Sequence, residues 1–153
     1  MGAEQQIKNL GLELPPASGP AGNYAPAVRT GNLMYLAGKA PSPVNGVAPK
    51  GKLGREFSTA DGYAFARSAC LEVLAAIKAA LGSLDQVAQV VDLHGSINAV
   101  PEFEEHAQVL DGASDLLASV FGPAGVHVRS VVGVSSLRNG VPLTLKVLVE
   151  VKP

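Results

Sequence analysis

A chain of 153 residues is long enough for one domain with its own core. Lys and Arg number 12 against 13 Asp and Glu, and aromatic residues make up only 5%, so neither the basic patch nor the stacking platform of a nucleic-acid binder is present. Hydrophobic residues reach 47% while charged residues stop at 16%, little charge for the surface of a soluble monomer, so part of the surface is expected to face other subunits.

The chain reads as a single domain over 1–153, with 1–22 as an N-terminal helix and loop extension. Residues 4–13 suit a short helix, closed by Pro15 and Pro16. No apolar core or cleavage signal marks this segment for secretion, and no run of about eighteen apolar residues is available to span a membrane. The single cysteine, Cys70, leaves no internal disulfide and no thiolate metal cluster. The expected compartment is the cytosol.

Residues 15–26 are rich in Pro, Gly and Ala and read as loop. "AVRTGNLMYLAG" predicts a hairpin turning at Thr30-Gly31-Asn32, with its second strand over 33–37. Residues 39–54, punctuated by prolines and glycines, read as a surface loop. A long helix is predicted from Thr59 to Leu81, with Ser58 as N-cap, Asp61 as capping-box partner and Gly82 as stop. Its apolar face is Tyr63, Ala66, Cys70, Val73, Leu74, Ile77 and Leu81, where Cys70 is a packing residue.

Val87 to Asn98 predicts a strand with Val91, Leu93, Gly95 and Ile97 on one face and Asp92, His94, Ser96 and Asn98 on the other. A second helix is placed over 112–121, because Asp111-Gly112 argues against an earlier start. Two strands finish the chain. One carries Val126, Val128, Ser130, Val132 and Val134 against His127, Arg129, Val131 and Gly133. The other carries Leu143, Leu145, Val147, Val149 and Val151 against Thr144, Lys146, Leu148 and Glu150. Each strand has one face fit for helices, and the mixed faces are expected to share His94, Arg129 and Lys146. The fold class is α+β: two layers, one mixed sheet with two main helices on one face.

No P-loop, dinucleotide fingerprint, HExxH pair or nucleophile elbow occurs. His94 and His127 could meet on the mixed face, but two histidines alone make a weak metal site; they read as hydrogen-bonded to backbone or lining a pocket, and no cofactor or metal is expected. His106 and the nearby glutamates read as solvated. Arg129 stands out, because a guanidinium in an apolar strand needs an anion. Either Asp92 or Glu150 pairs with it, or a ligand carboxylate does.

The segments "GNYAPAVRTGNLMYLAGKAP", "GASDLL" and "HVRSVVGV" resemble the Rid (YjgF-like) family of reactive-intermediate deaminases, in its longer branch, over most of the chain from Asn23 to Val151. The resemblance implies a chorismate-mutase-like fold and a homotrimer whose sheets form a central barrel. It implies clefts between subunits that bind small 2-keto or 2-imino carboxylates, and hydrolysis of enamines or imines to keto acid and ammonia. The ligand-binding candidates are Tyr24, Gly38, Lys39, His94, Arg129, Ser130 and Val131; Arg129 and Lys146 are the catalytic candidates. Lys146 stands where the family places a water-positioning glutamate, Lys39 where it places a glutamine and Val131 where it often places a cysteine. Arg129 and Lys146 in one cleft would favour dianions. The alternatives are a non-catalytic carboxylate-binding or regulatory trimer and, from an old family label, a ribonuclease or translation inhibitor. Neither a membrane nor a nucleic acid is an expected partner.

Overall fold

The computed structural model describes residues 1–153. In chain order the elements are α1 (Ala3–Asn9), β1 (Ala27–Thr30), β2 (Leu33–Leu36), α2 (Thr59–Leu81), β3 (Val87–Asn98), α3 (His106–Phe121), β4 (Val128–Val134) and β5 (Leu143–Val151). The five strands form one mixed sheet in the order β1-β2-β5-β3-β4. β3 and β4 run parallel and the other neighbours antiparallel. A parallel pair needs a crossover, and α3 supplies it. β4 therefore lies outside β3 as an edge strand, and β5 returns between β2 and β3. The short connection through Asn139 (φ 55°) and Gly140 (φ 68°) does not join neighbouring strands, as its length suggests it should.

The β1–β2 hairpin turns on two residues, with Gly31 at φ +59° in the first central position, the place a type II′ turn gives to glycine. α2 starts and stops where its sequence signals lie. The Asp61 N–H donates to Ser58 Oγ (3.1 Å), the Ser58 N–H donates to Asp61 Oδ2 (2.9 Å), and Gly82 closes the helix at φ 83°. Ala66, Cys70, Val73, Leu74 and Ile77 are fully buried against the sheet and α3. Tyr63 departs from this face: its hydroxyl donates to Asp115 Oδ2 on α3 at 2.7 Å. Burial pushes the Cys70 thiol up to about 12. An aromatic disulfide reagent at pH 8 is therefore expected to label Cys70 only as fast as the protein unfolds, since the thiolate is the nucleophile. Stoichiometric labelling of the native protein within minutes would contradict this.

Two irregularities in β3 shift its phase near the N-terminal end, between Val87 and Gln89 and between Val90 and Asp92 in the register with β5. Val90 rather than Val91 is therefore buried, and the expected alternation holds only from Leu93 onward. α3 starts six residues before Gly112. Gly112 is not a breaker but the point where α3 touches α2: a Cβ there would lie 2.1 Å from the Tyr63 carbonyl oxygen. Gly125 plays the same part after α3, where a Cβ would lie 2.2 Å from the Leu117 carbonyl oxygen.

Residues 39–54 are surface loop only in their middle. Lys39 exchanges both backbone hydrogen bonds with Leu145 (2.8 Å each), and Leu53 is fully buried, bonded to the backbone of Asn98 and Val100. α1 ends at Asn9, earlier than its prolines suggest, with Gly11 at φ 67° behind it. Glu4 ties α1 down, accepting from Lys78 Nζ (2.9 Å) and the Leu84 N–H (2.7 Å). Burial pushes its carboxyl up, but these hydrogen bonds outweigh burial and hold it below the usual carboxylate range. A depressed folded-state value contributes stability above the ordinary glutamate value and loses it as pH falls through the folded value. Protection of the α1 amides, relative to the unfolded-chain exchange rate at each pH, is therefore expected to fall below about pH 4.3 before protection in α2 does, and Glu4→Gln should abolish that early step.

Candidate functional site

The register across the sheet decides which way each candidate side chain points. Leu93, Gly95 and Ile97 of β3 face the helices and stand opposite Arg129, Val131 and Gly133 of β4. Arg129 and Val131 therefore point toward the helical layer. His94, Ser96 and Asp92 stand opposite Ser130, Val132 and Val128 on the uncovered face, and His94 also stands opposite Lys146. The expected grouping of Arg129 with His94 and Lys146 is corrected: Arg129 and Lys146 lie on opposite faces with β3 between their strands. No cleft of a single chain holds both cations, and the dianion site built on them does not form within one chain.

Arg129 meets neither Asp92 nor Glu150. Its Nη1 donates to Asp111 Oδ1 (2.8 Å) and to Ser114 Oγ (3.0 Å), both on α3, while Nη2 makes only a long contact with the Ala107 carbonyl (3.5 Å). Nε has no partner, so one edge of the guanidinium is uncommitted. The side chain is 29% exposed and that of Asp111 46%. Ser114 Oγ also lies 2.9 Å from His127 Nε2, and His127 Nδ1 lies 2.6 Å from the Gly125 carbonyl oxygen. A carbonyl can only accept, so the Nδ1 proton is fixed there and Nε2 offers its lone pair to the Ser114 hydroxyl. His127 is thus held beside α3 and does not meet His94.

These groups line an open groove of about 340 Å³ with Asp115, Ala118 and Val126. Asp115 accepts from Tyr63, a bond that pushes the Tyr63 phenol above its ordinary value. One cation with a free edge, one acid beside it and a hydroxyl leaning on an imidazole can bind a small zwitterion and move a proton.

The other candidates fall in two further places. On the uncovered face, His94 Nδ1 bonds Ser130 Oγ at 2.7 Å, near the exposed Lys146. Tyr24, Gly38 and Lys39 share a groove of about 250 Å³ with Ser18, Glu72 and Arg138. There Lys39 Nζ donates to Ser18 Oγ (3.0 Å), and the Ala21 N–H donates to the Tyr24 hydroxyl (3.1 Å). A larger concavity of about 570 Å³ opens at the opposite end of β4 from Arg129, around Lys52, Arg55, Phe103, His106 and Ser135. His106 is not simply solvated there: it packs edge-on against Phe103 and over Gly133. The cations of that concavity are paired as Arg129 is, Lys52 by Asn98 Oδ1 and the Ser135 carbonyl and Arg55 by Glu56; we place the candidate site at Arg129 because there a hydroxyl and an imidazole stand beside the cation.

Reasoning from sequence misses Asp111 and Ser114, while His127 bonds backbone and lines a groove as expected. Ser114 lies in "GASDLL", with Asp111 just before it, and Arg129 in "HVRSVVGV", two separate segments that the fold brings side by side. No group of three His, Cys, Asp or Glu stands close enough to hold a metal ion. No helix is long and apolar enough to cross a membrane.

The model of the YjgF/chorismate mutase-like family, whose description also names an endoribonuclease, matches residues 4–149. Protein TCP17 of Trypanosoma cruzi is 40% identical over 145 residues, covering 94% of this chain and 91% of that protein. The crystal structure of Atu1372 from Agrobacterium tumefaciens, a protein of unknown function, is 36% identical with a TM-score of 0.88, covering 99% of this chain and 92% of its own. A protein from Shewanella oneidensis whose name proposes an endoribonuclease is 32% identical with a TM-score of 0.94, covering 99% of this chain and all of its own. RidA from a Psychrobacter species shares the fold at 22% identity and a TM-score of 0.60, covering 88% of this chain and 94% of its own. With the family model spanning α2, α3 and nearly all of the sheet, the chain belongs to the YjgF/chorismate mutase-like family.

Proposed function

We propose that the protein is a homotrimer that binds small 2-imino and 2-keto carboxylates in clefts between subunits and hydrolyses imines to keto acid and ammonia, with Arg129 as the carboxylate anchor. The observation that carries this reading is the free edge of Arg129 in an open groove on an edge strand. Two further features support it. The candidate residues fall in three separate places on one chain, as they would if neighbouring copies completed one site. The uncovered face of the sheet also exposes Val28, Tyr35, Val128 and Val132, by 57, 44, 68 and 46% of their surface. Apolar side chains in a row across a sheet face are the mark of a covered surface. Light scattering at micromolar concentration is expected to give the mass of three chains, and calorimetric titration with pyruvate is expected to give saturable binding. A monomer mass, or no heat with millimolar pyruvate, would overturn the reading. A second reading is favoured by the Asp111 bond: Arg129 then only ties β4 to α3, and any ligand binds elsewhere.

A further inference from the structure

We propose that Ser114 and His127 form the proton relay of this site and supply the base that Lys146 does not. The inference rests on the reading that Arg129 anchors the substrate carboxylate. A charged lysine has no acceptor to offer a water, and Lys146 lies on the far face of the sheet from Arg129 within the chain. The Arg129 groove contains its own acceptor pair. Ser114 Oγ stands 3.0 Å from the guanidinium and 2.9 Å from His127 Nε2, and the Gly125 carbonyl fixes the opposite ring nitrogen at 2.6 Å. This is a hydroxyl, a base and a group that orients the base, each within hydrogen-bond reach of the next.

The substrate class follows from the charges. A 2-imino acid carries an anionic carboxylate and, when protonated, a cationic iminium. The carboxylate meets the free edge of Arg129, and the iminium N–H donates to Asp111. A 2-keto acid has no cation to offer Asp111, so the product is held less tightly than the substrate. The step balances without any added reagent. Water oxygen bonds to the imine carbon, and the C=N π pair moves onto nitrogen. The water proton passes to Ser114 Oγ as the serine proton passes to His127 Nε2. The relay then returns that proton to the nitrogen, the C–N bond breaks, and nitrogen leaves with the electron pair as ammonia. The carbinol oxygen forms the C=O bond and its proton goes to the relay, which passes it to the departing ammonia. Ser114 touches the reacting water; His127 acts through it and is a positioning residue.

The test generates an imine in situ from L-leucine with an amino-acid oxidase and follows the appearance of keto acid. The wild type is expected to accelerate release. Ser114→Ala and His127→Gln are each expected to lower kcat by about 100-fold with KM and calorimetric pyruvate affinity unchanged. His127→Ala is expected to regain turnover when imidazole is added, a response that a purely structural histidine would not give. Should wild type bind pyruvate but release keto acid no faster than the uncatalysed reaction, or should the variants keep wild-type kcat, the relay is wrong while the binding reading stands. Should wild type bind no pyruvate, both fall.

Discussion

Gly112→Ala is expected to destabilise the protein by about 3 kcal/mol or more, at the upper end of what overpacking costs. Two effects oppose each other there. Alanine is the better helix former by roughly 1 kcal/mol, and the site is well inside α3. Against that, the new methyl would sit 2.1 Å from the Tyr63 carbonyl oxygen and 2.9 Å from its carbon. The obstacle is backbone of α2, so no rotamer change relieves it, and the helices must separate. At roughly 2–4 °C per kcal/mol for a chain of this size, the melting temperature should fall by about 6–12 °C. Gly19→Ala, where a Cβ meets nothing within 4 Å, serves as the control and should be nearly neutral. A Gly112→Ala protein as stable as the wild type would show that the helices do not pack as closely as described.

Gly112 also shows where the sequence stops being legible. A glycine preceded by aspartate looks the same whether it ends a helix or admits a neighbouring backbone, and only the α2 contact separates the two. By contrast, α2 was legible to the residue, because Ser58, Asp61 and Gly82 act locally and need no partner from elsewhere in the chain. β5 was legible for a related reason. It is central, flanked by β2 and β3, and its helix-facing side is an unbroken apolar series. β4 was not. It is an edge strand with valines on both sides, so alternation alone does not say which side meets the helices, and its face was assigned the wrong way round. That one inversion placed Arg129 with Lys146 instead of with Asp111. That Arg129 needs an anionic partner could be read from its chemistry. Its partner could not, because Asp111 reaches it through a crossover whose geometry no local signal encodes.

The Arg129–Asp111 pair supplies the sharpest test of what the groove is for. Arg129→Ala is expected to weaken pyruvate binding by about 10- to 100-fold, the scale of 1.5–3 kcal/mol for hydrogen bonds to a charged group. Asp111→Asn is expected to do the opposite. It removes a negative charge 2.8 Å from the guanidinium and leaves a side chain of the same shape. A keto-acid carboxylate would then meet an unneutralised cation, and its affinity should rise several-fold, more so at low ionic strength. The two readings of Arg129 part here. If it is an anchor, the two substitutions move affinity in opposite directions while stability changes little, because a pair exposed this much contributes about 0–1 kcal/mol. If it only ties β4 to α3, both substitutions loosen the same contact and neither changes binding. Asp111→Asn should lose affinity for L-alanine, whose ammonium needs the acid, under the same conditions in which it gains affinity for pyruvate. Calorimetry with both ligands on wild type and the two variants reads all of this, and a parallel response to the two ligands would show that Asp111 does not contact the nitrogen.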